Sequence, residues 1–313
     1  MKTKFFPIVA IVLVAIFVIG CSKDGMQDAL TGHVNFKMTD APSDDANIKG
    51  TFITVSNVKI DGKAVSGFKK QTFDISAYQR GETKLLLSDD VEAKSYNTVT
   101  LELDYQQDAS GKSPGCYVMT VDDNKHDLAV SSESKEEFTF NKSFKIDSNQ
   151  STDIVIDFDL RKSIKRNSDN PGSDYSFAGN AEMKSAFRVV LVSESGLIKG
   201  KINNSLTSNA ELIVYAYKKD QYNQQTEAAG SENEMFTHAV TSARVNDEGT
   251  YQLSFLEQGN YEVHVASYSD TKSPGRLEFN GMANAISIIS SILLNNIQVS
   301  ANAEFKLDIS ILF

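Results

Sequence analysis

Apolar and polar residues alternate with a period of two along most of the chain after residue 30. In the clearest run, YNTVTLELDY at 96–105, Leu101 and Leu103 fall on one face, whereas Thr100 and Glu102 fall on the other. Such alternation predicts strands with one buried and one solvated face. Turn-forming clusters such as IDGK, DASGKSPG and VDDNK separate the runs. The pattern therefore predicts an all-β chain of two antiparallel β-sandwich domains.

One apolar segment is compatible with both a helix and a strand. GMANAISIISSILLNN at 281–296 places Ile286, Ile289 and Leu293 on one face of a helix. Its many β-branched residues favour a buried strand equally, so the sequence does not decide between the two. The segment could also be an exposed apolar patch for a partner, but burial in a core is the simpler interpretation.

The chain contains two series of strands that end alike. FKIDSNQSTDIVIDFDL closes the first series and IQVSANAEFKLDISIL ends the chain, each with a short strand, a polar turn and a longer strand. We interpret both segments as closing hairpins of two domains. A polar, turn-rich stretch and then Ser193–Gly196 separate the series. We therefore predict domains at 32–195 and 196–313.

The N-terminus has the three regions of a secretory signal. Two lysines precede an apolar run from Phe5 to Ile19, which is shorter than the ~20 residues that a helix needs to span a bilayer. Val18-Ile19-Gly20-Cys21 resembles the lipobox of bacterial lipoproteins. The resemblance implies a cleaved signal peptide at 1–20 and a Cys21 that carries acyl chains such as palmitate.

Several acyl chains on one cysteine anchor a protein stably in a membrane. Residues 21–31 would then form a tether, and Lys23-Asp24 partly resembles the surface-export signal of Bacteroidota lipoproteins. We expect a lipid-anchored protein of the outer membrane, at the cell surface in preference to the periplasmic face. Cys116 then lacks a disulfide partner within the chain, and we predict that it is a small core residue.

Charge and motifs exclude several functions. The 31 Lys and Arg against 41 Asp and Glu give a net charge of -10, which disfavours nucleic acid as a partner. The sequence has no G-x-S-x-G motif, no clustered Cys and His for zinc and no glycine-rich phosphate loop. The four histidines lie far apart: His33, His126, His238 and His264. We therefore expect no enzymatic activity and no cofactor.

Acidic residues are the most numerous candidates for binding a metal ion. In KMTDAPSDD, Pro42 has no amide donor, which predicts that the strand stops there and that Asp40 caps the turn, while Asp44 and Asp45 stay in water. Calcium bound by these three aspartates is the alternative, although they and Ser88-Asp89-Asp90 lack the spacing of a known calcium loop.

A second pair of acids lies in the strand at 154–160. Asp157 and Asp159 fall opposite its apolar set, which predicts a solvated face that Arg161 and Lys162 partly balance.

The first half resembles a bacterial and archaeal lipoprotein family, domain of unknown function 4382. The resemblance rests on FKMTDAPSDD with ITVSNVKIDG, on LLLSDDVEAKSYNTVTLELDY and on IVIDFDLRKSI, and it extends from about Gly32 to Val192. Thr39-Asp40-Ala41-Pro42 and Asp157-Phe158-Asp159 are its most specific parts. The sequence departs from the family at Ser185-Ala186, where a proline would be expected before the last strand.

The second half is similar to transthyretin-like or carboxypeptidase-regulatory-like β-sandwiches. GLIKGKI, DEGTYQLSFLEQGNYEVHV and IQVSANAEFKLDISIL carry this similarity, which implies a fold and no chemistry. It also suggests adhesin domains with a Lys–Asn isopeptide bond, for which Lys199 or Lys201 and Asn302 would be the partners. Surface exposure of these residues is the simpler interpretation.

Two classes of function fit these observations. The first is a non-enzymatic surface module that binds a carbohydrate or protein partner. The second is a structural spacer or pilus-like subunit, in which the terminal strand FKLDISILF is added to another sheet. A calcium-dependent adhesion module is a further alternative.

Overall fold

Strands dominate the structure, a computed structural model that describes residues 30–43, 45, 47–128, 135–166, 175–203, 210–229, 235–270 and 277–312. Only three short α-helices occur among these residues, which confirms the all-β prediction. No helix in these ranges is long and apolar enough to cross a membrane. Cys21 and Asp44 lie outside the described residues.

Two facing sheets form the N-terminal sandwich, which we define as residues 30–191. Its strands are β1 (Thr31–Ala41), β2 (Ile48–Ile60), β3 (Lys63–Ala64), β4 (Gln71–Asp74), β5 (Lys84–Glu92), β6 (Ser95–Asp104), β7 (Tyr117–Thr120), β8 (Lys125–Asp127), β9 (Lys135–Lys145), β10 (Ser151–Asp159), β11 (Ile164–Arg166), β12 (Tyr175–Phe177) and β13 (Phe187–Leu191). One sheet has the order β13-β10-β1-β5, and the other has the order β8-β7-β2-β6-β9 with β3 and β4 on β2. Helices α1 (Leu160–Ser163) and α2 (Asn180–Ala186) lie between strands.

The alternating residues meet between these two sheets. Phe36 and Met38 of β1 and Leu101 and Leu103 of β6 are all fully buried in one cluster, as the alternation predicts. Cys116 is also buried and free, and burial raises the pKa of its thiol to about 12. The prediction that Cys116 is a core residue is therefore confirmed.

The C-terminal sandwich, residues 195–312, has the same construction. Its strands are β14 (Ser195–Asn203), β15 (Ala210–Lys218), β16 (Thr241–Arg244), β17 (Thr250–Glu257), β18 (Gly259–Asp270), β19 (Leu277–Met282), β20 (Asn284–Ser287), β21 (Ile297–Val299), β22 (Glu304–Lys306) and β23 (Ile309–Leu312), with helix α3 (Gln224–Glu227) after β15. One sheet has the order β17-β14-β23-β20 with β22 on β14, and the other has the order β16-β15-β18-β19 with β21 on β18.

The two closing segments are not hairpins, so that interpretation is wrong. Strand β9 pairs with β6 in one sheet, whereas β10 pairs with β1 in the other. The same holds for β21 on β18 and β22 on β14. In both sandwiches the polar turn carries the chain across the core. The strands after that turn, β10 in one sandwich and β22 and β23 in the other, run parallel to the first strand of their sandwich. The resemblance of the two segments therefore reflects the same crossing between facing sheets.

The change from one sandwich to the other occurs at a single turn. Strand β13 ends at Leu191, a 3₁₀ turn spans Val192–Glu194, and β14 begins at Ser195. The N-terminal core contains residues from Val34 to Leu191, and the C-terminal core contains residues from Ile198 to Ile311. Our proposed boundary at 195/196 lies beside this turn. Strand β13 follows α2 directly at Phe187, without the proline that the family resemblance led us to expect.

The segment at 281–296 is neither a helix nor a buried strand. It contains the short strand β20, followed by turns, and Ile286, Ile289 and Leu293 are exposed. Burial of these three residues was therefore the wrong interpretation. The terminal strand β23 lies between β14 and β20, where it closes its own sheet. It is therefore not available for addition to another molecule.

Candidate functional site

The two most specific sequence motifs are neighbours in the structure. Strands β1 and β10 run parallel, and their register places Thr39 opposite Asp157 and Ala41 opposite Asp159. Both aspartates and Asp40 are at least 95% buried. Strand β1 ends at Ala41, directly before the proline, as predicted.

Asp157 and Asp159 do not form a solvated face, and this prediction is wrong. Each accepts a charge-assisted hydrogen bond: Arg188 Nη2 lies 2.5 Å from Asp157 Oδ2, and Arg161 Nη2 lies 2.7 Å from Asp159 Oδ2. Lys162 Nζ lies 3.4 Å from the same Asp159 oxygen. Alternation along β10 predicts correctly that these acids point away from the first core, but the C-terminal sandwich covers that side.

The three cations also bind the C-terminal sandwich. Arg161 Nη1 donates to the carbonyl oxygens of Met235 and Phe236, at 3.2 and 2.5 Å. Lys162 Nζ donates to the carbonyl oxygen of Ala239 at 2.7 Å. We call Asp157, Asp159, Arg161, Lys162 and Arg188 the interface cluster, because the aspartates hold cations that reach across to the other sandwich.

Further contacts extend the interface cluster. Arg188 Nη1 donates to the carbonyl oxygen of Phe255. The Arg161 guanidinium lies 5.6 Å from the ring centroid of Tyr215, whose ring stacks on Phe236 at 4.1 Å. Since the Arg161 side chain is almost fully buried, these contacts must compensate for the water that it loses. Arg161 is thus the residue that joins the polar and the aromatic parts of the interface.

Asp40 does not cap the turn after β1, so that prediction is also wrong. Its Oδ2 accepts from Gln79 Nε2 at 2.9 Å. Burial, with a smaller effect from the charges of Asp157 and Asp159, raises the pKa of Asp40 well above its ordinary value. Its Oδ1 has no hydrogen-bond partner in the described part of the chain, which fits a carboxyl that holds a proton.

Thr39 and Asp40 fix the segment that follows β4. Thr39 Oγ1 lies 2.9 Å from the carbonyl oxygens of both Tyr78 and Glu82, and the Asp40 N–H donates to the Tyr78 carbonyl at 2.8 Å. The first residues of the Thr-Asp-Ala-Pro motif therefore hold residues 76–82 against the end of β1.

Residues 76–82 form one wall of a groove of about 920 Å³ between the two sandwiches. The other wall comes from β14, β17 and the β22 region. The lining residues are Ser76, Ala77, Gln79, Arg80, Glu82, Lys199, Gly200, Lys201, Thr250, Tyr251, Gln252, Glu304, Lys306 and Asp308. Gln252 Nε2 joins the walls by donating to the Arg80 carbonyl at 2.8 Å.

The groove is polar and carries mixed charge. Lys199 pairs with Glu304 at 2.6 Å, and Lys306 lies 3.3 Å from Asp308. Within the described ranges, the side chains of two exposed cations, Arg80 and Lys201, have no ion pair. Tyr251 is buried and donates its hydroxyl to the Leu307 carbonyl, so it offers no open ring face to a ligand.

The calcium candidates are held by the protein itself. Asp45 accepts from the Asn47 N–H at 2.9 Å and from the Tyr175 hydroxyl at 3.0 Å, so it is not simply in water as predicted. Asp89 accepts from Ser66, and Asp90 lies 2.8 Å from a His33 nitrogen. Across the residues that the structure describes, no three His, Cys, Asp or Glu residues are grouped for a metal ion.

The isopeptide candidates are not brought together. Lys199 is engaged with Glu304, while exposed Asn302 donates from its side chain to the Ser193 carbonyl at 2.9 Å. The simpler interpretation of surface residues agrees with these positions.

Sequence reasoning missed Arg188 and Gln79 as parts of the interface. A signal for Arg188 existed, because it is the charged residue within the apolar run AFRVVLV, and such a residue is rarely buried without a partner. Its partner Asp157 lies directly opposite on the antiparallel strand. Gln79 gave no comparable signal, since it lies in a polar segment.

The motif pair and the fold around it can be compared with known proteins. Residues 31–177 match the model of the family described as Domain of unknown function (DUF4382). The DUF4382 match covers both motifs and ends before β13, so Arg188 and the C-terminal sandwich lie outside it. No curated protein matches the chain.

Several solved structures cover the chain at low identity. The Bacillus anthracis TIE protein is 13% identical over 90% of this chain, with a TM-score of 0.18, and the match spans only 34% of that longer protein. The major pilin subunit of Bacillus cereus is 12% identical, covering 90% of this chain and 70% of the pilin, with a TM-score of 0.20. The minor pilin of Streptococcus agalactiae is 8% identical, covering 89% and 96%, with a TM-score of 0.18. TM-scores this low give no basis for assigning a function.

Proposed function

We propose that this protein is a lipid-anchored, non-enzymatic module of the cell surface that binds an acidic carbohydrate in the groove between its sandwiches. The observation that carries the proposal is the groove itself. Residues from both sandwiches line it, and two of its cations have no ion pair within the described part of the chain.

The lining of the groove favours a polar ligand. Sites for drug-like small molecules are mostly apolar, whereas most residues that line this groove have amide, hydroxyl or charged side chains. Gln79, Gln252 and Thr250 offer the hydrogen-bonding groups that a hydroxyl-rich ligand requires. Arg80 and Lys201 can each donate hydrogen bonds to a carboxylate or sulfate group. They offer this local positive charge on a chain whose net charge is -10.

A binding experiment with defined oligosaccharides tests the groove. The intact protein would be applied to an array of neutral, uronic-acid-containing and sulfated oligosaccharides. We expect binding to the acidic members, a loss of at least tenfold in the Arg80→Gln, Lys201→Gln double variant, and no change in Lys145→Gln. Lys145 is the control because it is an exposed lysine paired with Asp147 on β9, away from the groove residues. Binding that survives the double variant, or no binding to any member, would contradict the proposal.

The anchor is tested separately. The lipobox-like sequence and the short apolar run support acylation of Cys21. Intact mass spectrometry should find acyl groups on the mature wild-type chain, and Cys21→Ser should accumulate as an unlipidated precursor. Protease treatment of whole cells should then degrade the wild-type protein if it lies on the outer surface. A wild-type protein without acyl groups would remove the basis for this location.

A further inference from the structure

Strand β20 and the turns after it form an uncharged apolar surface. No Asp, Glu, Lys, Arg or His occurs at 279–303, although charged residues make up 23% of the chain. We call five large exposed residues here the β20 patch: Ile286 (44% exposed), Ile288 (48%), Ile289 (55%), Leu293 (61%) and Leu312 (42%).

The β20 patch lies at a free sheet edge. In the order β17-β14-β23-β20, β20 is the outer strand, and β23 is its only partner among the described residues. Ile286 lies opposite Ser310 of β23, and both point away from the core, since the alternate residues Ile309 and Ile311 are buried in it. The edge therefore offers unpaired backbone groups beside an exposed apolar face.

Another outer strand, β5, shows how this chain protects an edge. β5 is the outer strand of β13-β10-β1-β5 and also carries an exposed apolar residue, Leu85, at 48%. Around Leu85, however, β5 carries Lys84, Asp89, Asp90 and Glu92. Charges along an edge oppose pairing with another chain, and β20 has none.

We propose that the β20 patch binds a second copy of this chain, with the two β20 strands paired antiparallel across a twofold axis. A net charge of -10 makes two copies repel each other, and a surface without charge lets them approach at the lowest electrostatic cost. A patch of apolar, Ser and Asn side chains is also complementary to itself, as a twofold interface requires. A basic partner protein would instead gain from acidic residues on this surface, and there are none at 279–303.

The size of the β20 patch predicts a weak dimer. Five side chains, each about half exposed, fall short of the ~800 Å² that a standard interface buries on each partner. Association in dilute solution should therefore be weak, and confinement of both copies to one membrane would raise it. The inference does not depend on a ligand in the groove.

Disulfide cross-linking of the full chain in its own membranes tests this interface. Cysteine would be introduced at Ile286, at Ile288 or, as a control of equal exposure on the charged edge strand, at Leu85. We expect an oxidised dimer at twice the monomer mass from the Ile286→Cys or Ile288→Cys chain, and none from Leu85→Cys or wild type. Wild type controls for Cys21 and for Cys116, which is buried.

Charge placed in the patch should then prevent the cross-link. Adding Ile289→Lys and Leu293→Lys to the Ile286→Cys chain should lower the dimer yield at least tenfold, whereas adding Leu85→Lys should leave it unchanged. A circular dichroism melt of each variant verifies that it is folded. Three results would overturn the proposal: no dimer from any patch cysteine, equal dimer from Leu85→Cys, or a cross-link only to a protein of different mass.

Discussion

The two sandwiches share the crossing of their closing segment between sheets but cover the outer faces of their sheets differently. In the C-terminal sandwich, the outer face of β16-β15-β18-β19 carries Tyr215, Tyr217 and Tyr268, and the chain covers it with its own Met235 and Phe236. In the N-terminal sandwich, the outer face of β13-β10-β1-β5 carries Asp157, Asp159 and Arg188, α1 adds Arg161 and Lys162 beside them, and the other sandwich covers this side. One face is closed by aromatic packing and the other by buried ion pairs.

This difference predicts where the molecule is sensitive to mutation. When a packed aromatic side chain is truncated, the protein loses stability in proportion to the buried area and volume that are removed. A buried ion pair behaves differently, because removing one partner leaves the other charge buried without compensation. The attachment of the two sandwiches should therefore depend on single residues, Arg161 above all, since it contacts Asp159 and two carbonyl groups of the C-terminal sandwich.

The largest effect is expected for Arg161→Ala. It leaves Asp159 with Lys162 as its remaining cation, removes the Arg161 hydrogen bonds to the carbonyl groups of Met235 and Phe236 and removes the contact with Tyr215. We predict a loss of about 3–5 kcal/mol in the free energy of unfolding, measured by denaturant titration. Lys145→Ala, in an exposed pair with Asp147, is the control and should cost less than about 1 kcal/mol. Equal costs for the two variants would show that the interface cluster contributes little.

The next effect separates the two roles considered for Asp40. Asp40→Ala leaves the Gln79 amide without its Asp40 acceptor, which should cost about 1–3 kcal/mol in unfolding free energy. Asp40→Asn keeps an acceptor and the shape of a protonated carboxyl, so its effect should be much smaller. A similar loss for both variants would show that the negative charge of Asp40 is required.

A smaller loss is expected for Asp45→Ala. It removes the acceptor of the Asn47 N–H and the Tyr175 hydroxyl, and this should cost about 1 kcal/mol at a half-buried site. Asp90→Ala is the comparison, since Asp90 is mostly exposed beside His33. An unchanged free energy of unfolding in Asp45→Ala would instead support the sequence-based prediction that Asp45 stays in water.

The smallest expected effect is a pH dependence of the unfolding free energy. Asp40 and Asp157 should add stability at low pH, whereas carboxylates in ion pairs usually add it at high pH. Burial raises the pKa of Asp40 and of Asp157, so the folded protein binds these protons more tightly than the unfolded chain. Their contribution to stability is fully present below the ordinary aspartate pKa and is lost as the pH rises through the raised values. Wild type should thus gain stability relative to Asp40→Asn on acidification from neutral pH, as seen in denaturant titrations at several pH values. A constant difference between them would contradict the raised pKa of Asp40.

Local sequence patterns predicted the strands and the side of each strand that enters its own core. Leu101 and Leu103 are buried as the alternation requires, and the strand before Pro42 ends where the missing amide donor requires. The same alternation placed Asp157 and Asp159 away from the first core correctly. It could not reveal that a second sandwich lies on that side, because the contact joins residues about 75 positions apart, such as Arg161 and Phe236.

The remaining errors have the same origin. A short strand, a polar turn and a longer strand have the same pattern whether the chain returns within a sheet or crosses to the facing sheet, so the closing segments looked like hairpins. The apolar residues at 286–293 looked like core because most apolar runs are buried. Their position at a free edge depends on the order of strands in the sheet, which no local pattern encodes.

The central claim is that buried charges hold the two sandwiches in one fixed arrangement, which also forms the groove. A distance distribution between spin labels at Asn141→Cys on β9 and Gln298→Cys on β21, both exposed positions, tests it most directly. The account predicts one narrow distribution for the otherwise wild-type chain, and a broad one after Arg161→Ala and Lys162→Ala are added to a chain that remains folded. A broad distribution before those changes, or a narrow and unchanged one after them, would contradict it.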